Sequence, residues 1–127
     1  MDKDGVTVNT NIENTSNTAI PMGDGWHPYF QFENLEVVNM QMGSAKRMSS
    51  NFGNQSNGQH GFEESRAIGQ DSMDDCFHIK GADVFSFQLE DISNHLALEI
   101  WQDSAAGKYE YFQLYTPPTR KTIAIEP

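Results

Sequence analysis

The chain has 127 residues, 18 acidic against 8 basic, and its net charge of −10 lacks the basic footprint that nucleic acid and anionic membrane require. An apolar share of 37% is modest, yet eight Phe, four Tyr and two Trp are too many for a disordered segment, so one domain with a single two-layer core is expected. No apolar run is long enough to span a bilayer, and Met1-Asp2-Lys3-Asp4 leads into no secretory apolar stretch, so the expected setting is cytoplasmic.

From Gly5 to Asn14 the residues alternate, with Val6, Val8 and Ile12 on one parity and Thr7, Asn9 and Asn11 on the other. Period two predicts a half-buried strand. Asn14-Thr15-Ser16-Asn17-Thr18 and Gly23-Asp24-Gly25 are turn clusters. The second leads into Gly25-Trp26-His27-Pro28-Tyr29-Phe30, which sets one imidazole among three aromatic rings. Pro28 biases His27 towards extended backbone, at a strand edge rather than on a helix. His27 there is either a partly buried turn histidine or a group that meets a ligand while the rings exclude water.

Leu35 to Met42 reads as a further strand, with Leu35, Val37 and Asn39 opposite Glu36, Val38 and Met40. Residues 43–73 are rich in Ser, Asn, Gly and Gln, with Phe52, Phe62 and Ile68 as apolar anchors, and read as a long loop. Within it Glu63-Glu64-Ser65-Arg66 is compatible with one helical turn. From Cys76 onwards the alternation is clear: Phe85, Phe87, Leu89; then Leu96, Leu98, Ile100; then Phe112, Leu114; then Ile123, Ile125. Asp91-Ile92-Ser93-Asn94, Ala105-Ala106-Gly107 and Pro117-Pro118-Thr119 separate these runs. Strands so closely spaced leave no room for crossover helices, so the class is all-β and antiparallel, a sandwich or an open sheet. With Ile123 and Ile125 towards the core, Glu126 faces the opposite side, where it can act on a ligand.

Several chemistries lack their residues. His27, His60, His78 and His95 show no short metal-binding spacing. Cys76 has no partner for an intrachain disulfide and reads as a buried structural thiol rather than a nucleophile. No nucleophile elbow, phosphate loop or dinucleotide glycine pattern occurs. Asp74 and Asp75 are either turn residues or ligands for a cation or sugar hydroxyls, and with Asp71 they do not match a calcium loop. Tyr109, Tyr111 and Tyr115 are either a half-exposed sheet face or a stacking platform for a sugar ring.

Three stretches in order resemble the aldose 1-epimerase (galactose mutarotase) family: Gly25-Trp26-His27-Pro28-Tyr29-Phe30, Met73-Asp74-Asp75-Cys76-Phe77, and Tyr115-Thr116-Pro117-Pro118 with Ile123-Ala124-Ile125-Glu126-Pro127. Val8-Asn9-Thr10-Asn11-Ile12-Glu13-Asn14-Thr15 is similar to the strand that precedes the family's histidine. The resemblance covers the C-terminal part of the family and implies a galactose mutarotase-like antiparallel β-sandwich.

It also implies roles. His27 would protonate the ring oxygen, Glu126 would take the proton from the anomeric hydroxyl, and Asp74 would hold a substrate hydroxyl, with Tyr29 and Trp26 against the sugar. The reaction is opening and reclosing of a hemiacetal of a free hexose, and needs no metal and no redox cofactor. The expected geometry is a pyranose-sized hollow with His27 and Glu126 on opposite sides. The family's N-terminal half, with a further histidine and an arginine that bind sugar, has no counterpart in this sequence. A homo-oligomer, or a partner completing the sandwich, is therefore expected. The alternative is a non-catalytic carbohydrate-binding module or an inactive truncated relative.

Overall fold

Alternation at period two dominates the chain and builds ten strands among the residues described. The computed structural model describes residues 5–48, 62–79, 84–105 and 108–127 with side chains, and 55–60 by backbone. The strands are β1 (Tyr29–Gln31), β2 (Asn39–Met42), β3 (Ala45–Met48), β4 (Gln55–His60) and β5 (Arg66–Ala67). They continue with β6 (Asp74–Ile79), β7 (Val84–Asp91), β8 (Leu96–Asp103), β9 (Tyr111–Tyr115) and β10 (Thr122–Glu126).

Two antiparallel sheets result. One has the order β1-β10-β9-β6-β3-β4, the other β5-β2-β7-β8. They pack as a sandwich because each presents one apolar parity to the other. Phe77, Ile79, Phe112, Leu114, Ile123 and Ile125 come from the first sheet, and Met40, Met42, Phe85, Phe87 and Leu89 from the second. Phe112 sits at the centre, its ring 4.9 Å from that of Phe77, 4.7 Å from that of Phe85 and 6.2 Å from that of Phe87. Each such buried side chain contributes about 1.5–3 kcal/mol of transfer free energy.

The later strands match the sequence reading. The burial pattern of β7 buries Phe85, Phe87 and Leu89, and that of β9 buries Phe112 and Leu114. The turn after β7 is closed by buried Asp91, whose Oδ1 accepts from Asn94 N at 3.2 Å and whose Oδ2 accepts from Asn94 Nδ2 at 2.8 Å. Asp74 and Asp75 open β6, as expected of a strand entry.

Earlier parts differ. Residues 5–14 form no strand, and Val6, Val8 and Ile12 are exposed, because alternation without a ladder partner forms no sheet. The stretch Leu35–Met42 begins as a 3-10 turn at Leu35–Val37, with Asn34 accepting from Glu36 N, before β2 starts. That turn shifts the parity, so Val38 rather than Val37 is buried. The expected loop at 43–73 contains β3, β4 and β5, and Glu63-Glu64-Ser65-Arg66 forms no helical turn. Polar residues join these strands because neighbouring strands dictate sheet membership more strongly than local composition does. Phe52, Met1–Asp4 and the turn residues Ala106 and Gly107 lie outside the described residues. Among the described residues no helix is long and apolar enough to cross a membrane.

Candidate active site

The face of the six-stranded sheet turned away from the core carries the residues singled out above. On β10, Thr122, Ala124 and Glu126 take the parity opposite to Ile123 and Ile125. Register aligns Tyr29, Ala124, Tyr115 and Asp74 in one row across β1, β10, β9 and β6. The next row runs Glu126, Gln113, Cys76. A third holds Tyr111, His78 and Lys46.

Continuing the β1–β10 register two residues beyond Tyr29 and Ala124 brings His27 across from Glu126. His27 Nε2 lies 3.0 Å from Glu126 Oε1. The His27 side chain is 52% exposed and that of Glu126 17%. This corrects the expectation of a hollow between the two groups. As cross-strand neighbours they touch, and the space open to a ligand lies over the pair. That space is a cleft of about 390 Å³, within the range of small-molecule sites. Asp24, Trp26, His27, Tyr109, Gln113 and Glu126 are among its walls.

The two segments that carry the pair are tied together. Trp26 N donates to Pro127 O at 3.1 Å, and Ile125 N donates to Pro28 O at 3.3 Å. Gly25 lies so close that a Cβ there would meet Pro127 O at 3.2 Å. Glu126 is therefore held by backbone on both sides. The Tyr29 ring stacks on the His27 ring at 4.8 Å and fixes the imidazole plane, so Tyr29 acts through His27. Trp26 lines the cleft and donates from Nε1 to Thr10 Oγ1 at 3.3 Å. Asp74 is exposed beside the pair and accepts from Gln113 Nε2 at 3.0 Å.

Two further residues belong to the site. Gln113 sits between Glu126 and Cys76 in register and reaches Asp74, linking the expected base to the expected sugar ligand. Its parity with Tyr111 and Tyr115 was the signal in the sequence. Asp24 accepts from Tyr109 Oη at 2.7 Å and closes one end of the cleft. That bond, with those of Thr10 and Gly25, holds the Asp24 carboxyl below the usual carboxylate range. Cys76 is half-buried on this face rather than in the core, and burial followed by the Glu126 charge pushes its thiol up.

Burial raises the pKa of Glu126; His27 opposes the shift and Asp74 adds to it. Its Oε1 is buried, and its contact with His27 Nε2 lacks the geometry of a hydrogen bond, so a ligand hydroxyl that gives it a proton must do so alongside the imidazole. The raised pKa means the folded chain binds this proton more tightly than the unfolded chain. Stability from this group is complete below the ordinary carboxylate value and is lost as pH rises through the raised one. Glu126→Gln is therefore expected to gain on wild type in urea midpoint as pH rises through that window. A midpoint difference constant with pH contradicts this.

Compared with protein-family models, with curated proteins and with solved structures, the chain matches none.

Proposed function

We propose that this chain is an isomerase of the aldose 1-epimerase type, interconverting the α and β anomers of a free hexose. The observation that supports the reading above all is the 3.0 Å contact between His27 Nε2 and Glu126 Oε1 on one wall of the cleft. Ring oxygen and anomeric hydroxyl are borne by a single carbon. A donor and an acceptor that serve both must therefore converge on one small region, as adjacent side chains do. His27 gives a proton to the ring oxygen while Glu126 removes one from the anomeric hydroxyl. The ring bond to the anomeric carbon breaks and the open aldehyde forms. Rotation and reclosure, with both protons returned, give the other anomer.

Burial of Glu126 makes it a stronger base than an exposed carboxylate. Gln113 on the cleft wall, and Asp74 outside the wall but bonded to Gln113, offer hydrogen bonds to sugar hydroxyls, and Trp26 offers a ring edge or face at the cleft wall.

A second reading, a carbohydrate-binding module that does not turn its sugar over, is favoured by one observation. The acid and the base already lie 3.0 Å apart, and a sugar must compete with that contact. Polarimetry separates the two. Freshly dissolved α-glucose or α-galactose is expected to reach its equilibrium rotation faster with the protein than in buffer alone. Binding of either sugar by calorimetry with an unchanged mutarotation rate supports the module instead.

A further inference from the structure

The cleft over His27 and Glu126 has a charge that a neutral sugar does not use. Its walls carry Asp24, Glu110 and Glu126 against His27 and Lys108. Both basic groups already face a carboxylate: His27 Nε2 lies 3.0 Å from Glu126 Oε1, and Lys108 Nζ pairs with Asp103. Two of the remaining carboxylates are held by neutral groups. Asp24 accepts from Tyr109 Oη at 2.7 Å, with Thr10 and the Gly25 backbone adding further bonds. Asp74 accepts from Gln113 Nε2 at 3.0 Å and stands exposed just outside the wall. Neutral donors stabilise a carboxylate in its ionised form without cancelling its charge. The potential over the cleft is therefore negative, and the concave surface focuses it.

The aromatic lining acts in the same direction. Trp26, Tyr109 and Tyr111 line the cleft. The face of an aromatic ring carries negative potential, so it attracts an ammonium group as well as stacking on a sugar ring. A divalent cation is a poorer match. Among the described residues no three of His, Cys, Asp and Glu converge as metal ligands do. An anionic sugar is a poorer match still, since each basic group on the wall is already engaged by a carboxylate.

Resting on the reading of this cleft as a sugar site, we propose that it prefers a hexosamine, an aldose bearing a protonated amine, over a neutral hexose, and that it disfavours sugar acids. In a hexosamine such as glucosamine the amine sits on the carbon next to the anomeric one. An anomeric hydroxyl at Glu126 therefore brings the ammonium group into the negative part of the cleft.

Heteronuclear NMR titration of the full chain tests this at about pH 6, where an amine of this kind is mostly protonated. The Trp26 indole N–H and the Gln113 side-chain amide report binding in the cleft rather than elsewhere on an acidic surface. Glucosamine, glucose and glucuronate are titrated in turn, at low and at high sodium chloride. At low salt glucosamine is expected to bind roughly fivefold tighter than glucose, as two partly exposed charge contacts allow, with glucuronate weakest. At about 0.5 M salt the advantage should fall below about twofold, because screening then acts over a few ångströms. Asp24→Asn keeps an acceptor for Tyr109 Oη but loses the charge, and should roughly halve the preference at low salt.

Glucose bound as tightly as glucosamine at low salt overturns the inference and leaves the sugar reading standing. So does a preference that neither salt nor Asp24→Asn diminishes. Signals that move with none of the three sugars overturn both. Binding is read without turnover, so an anomer-exchange rate at the buffer value counts against the catalytic reading alone.

Discussion

Glu126→Gln is expected to lower catalysed anomer exchange about 10²- to 10⁴-fold, to the rate in buffer. Glutamine matches glutamate in shape, so the β10 ladder, the Pro127 clamp and the core contacts of Ile123 and Ile125 persist. What is lost is what a carboxylate has and an amide lacks: its negative charge beside His27 and its capacity to accept a proton. Glu126 is held by backbone on both sides and is 17% exposed, so no water-filled alternative geometry rescues it. The same position should dominate the acid limb of the pH–rate profile. Burial raises the carboxyl pKa, so the rate climbs with deprotonation at a pH above the usual carboxylate range. A limb at the ordinary carboxylate value, or a Glu126→Gln variant of unchanged rate, assigns the base elsewhere.

The largest effect on stability is expected at Phe112. Phe112→Ala should cost about 3–5 kcal/mol, a large share of the 5–15 kcal/mol that holds a domain of this size. Phe112 is 2% exposed and contacts the rings of Phe77 on its own sheet and Phe85 and Phe87 on the facing one. Removing it opens a cavity where the two layers meet, and three stiff aromatic rings cannot collapse to fill it. It also loosens Gln113 next in sequence, so the cleft should suffer with the core. Urea unfolding followed by tryptophan fluorescence measures this. A loss below about 1 kcal/mol means the layers are held elsewhere.

The second half of the fold was legible because its strands combine alternation with strong apolar residues. Phe85, Phe87 and Leu89 leave one assignment of faces, as do Phe112 with Leu114 and Ile123 with Ile125. The first half was not. Lys46 and Arg47 in β3 carry no apolar pattern; they are in a sheet because β6 pairs with them, a contact about thirty residues away. A single 3-10 turn at Leu35–Val37 exchanged Val37 for Val38 in the core, a shift that no periodicity reveals. At the site, parity indicated that Glu126 leaves the core side, and the Gly-Trp-His-Pro stretch indicated an extended histidine. Their distance was not legible, because it depends on the register of β1 against β10, which links residues nearly a hundred positions apart. That register turned an expected hollow into a direct contact.

Whether His27 and Glu126 act together on one sugar is tested most directly by a double-mutant cycle read by exchange NMR. The α and β anomeric protons of glucose are followed with wild type, His27→Asn, Glu126→Gln and the double variant. Residues that serve one proton-transfer event lose their effect as a unit. The expected result is wild-type exchange well above buffer, both single variants at or near the buffer rate, and a double variant no slower than either. Wild-type exchange at the buffer rate, or two single losses that simply add, would contradict it.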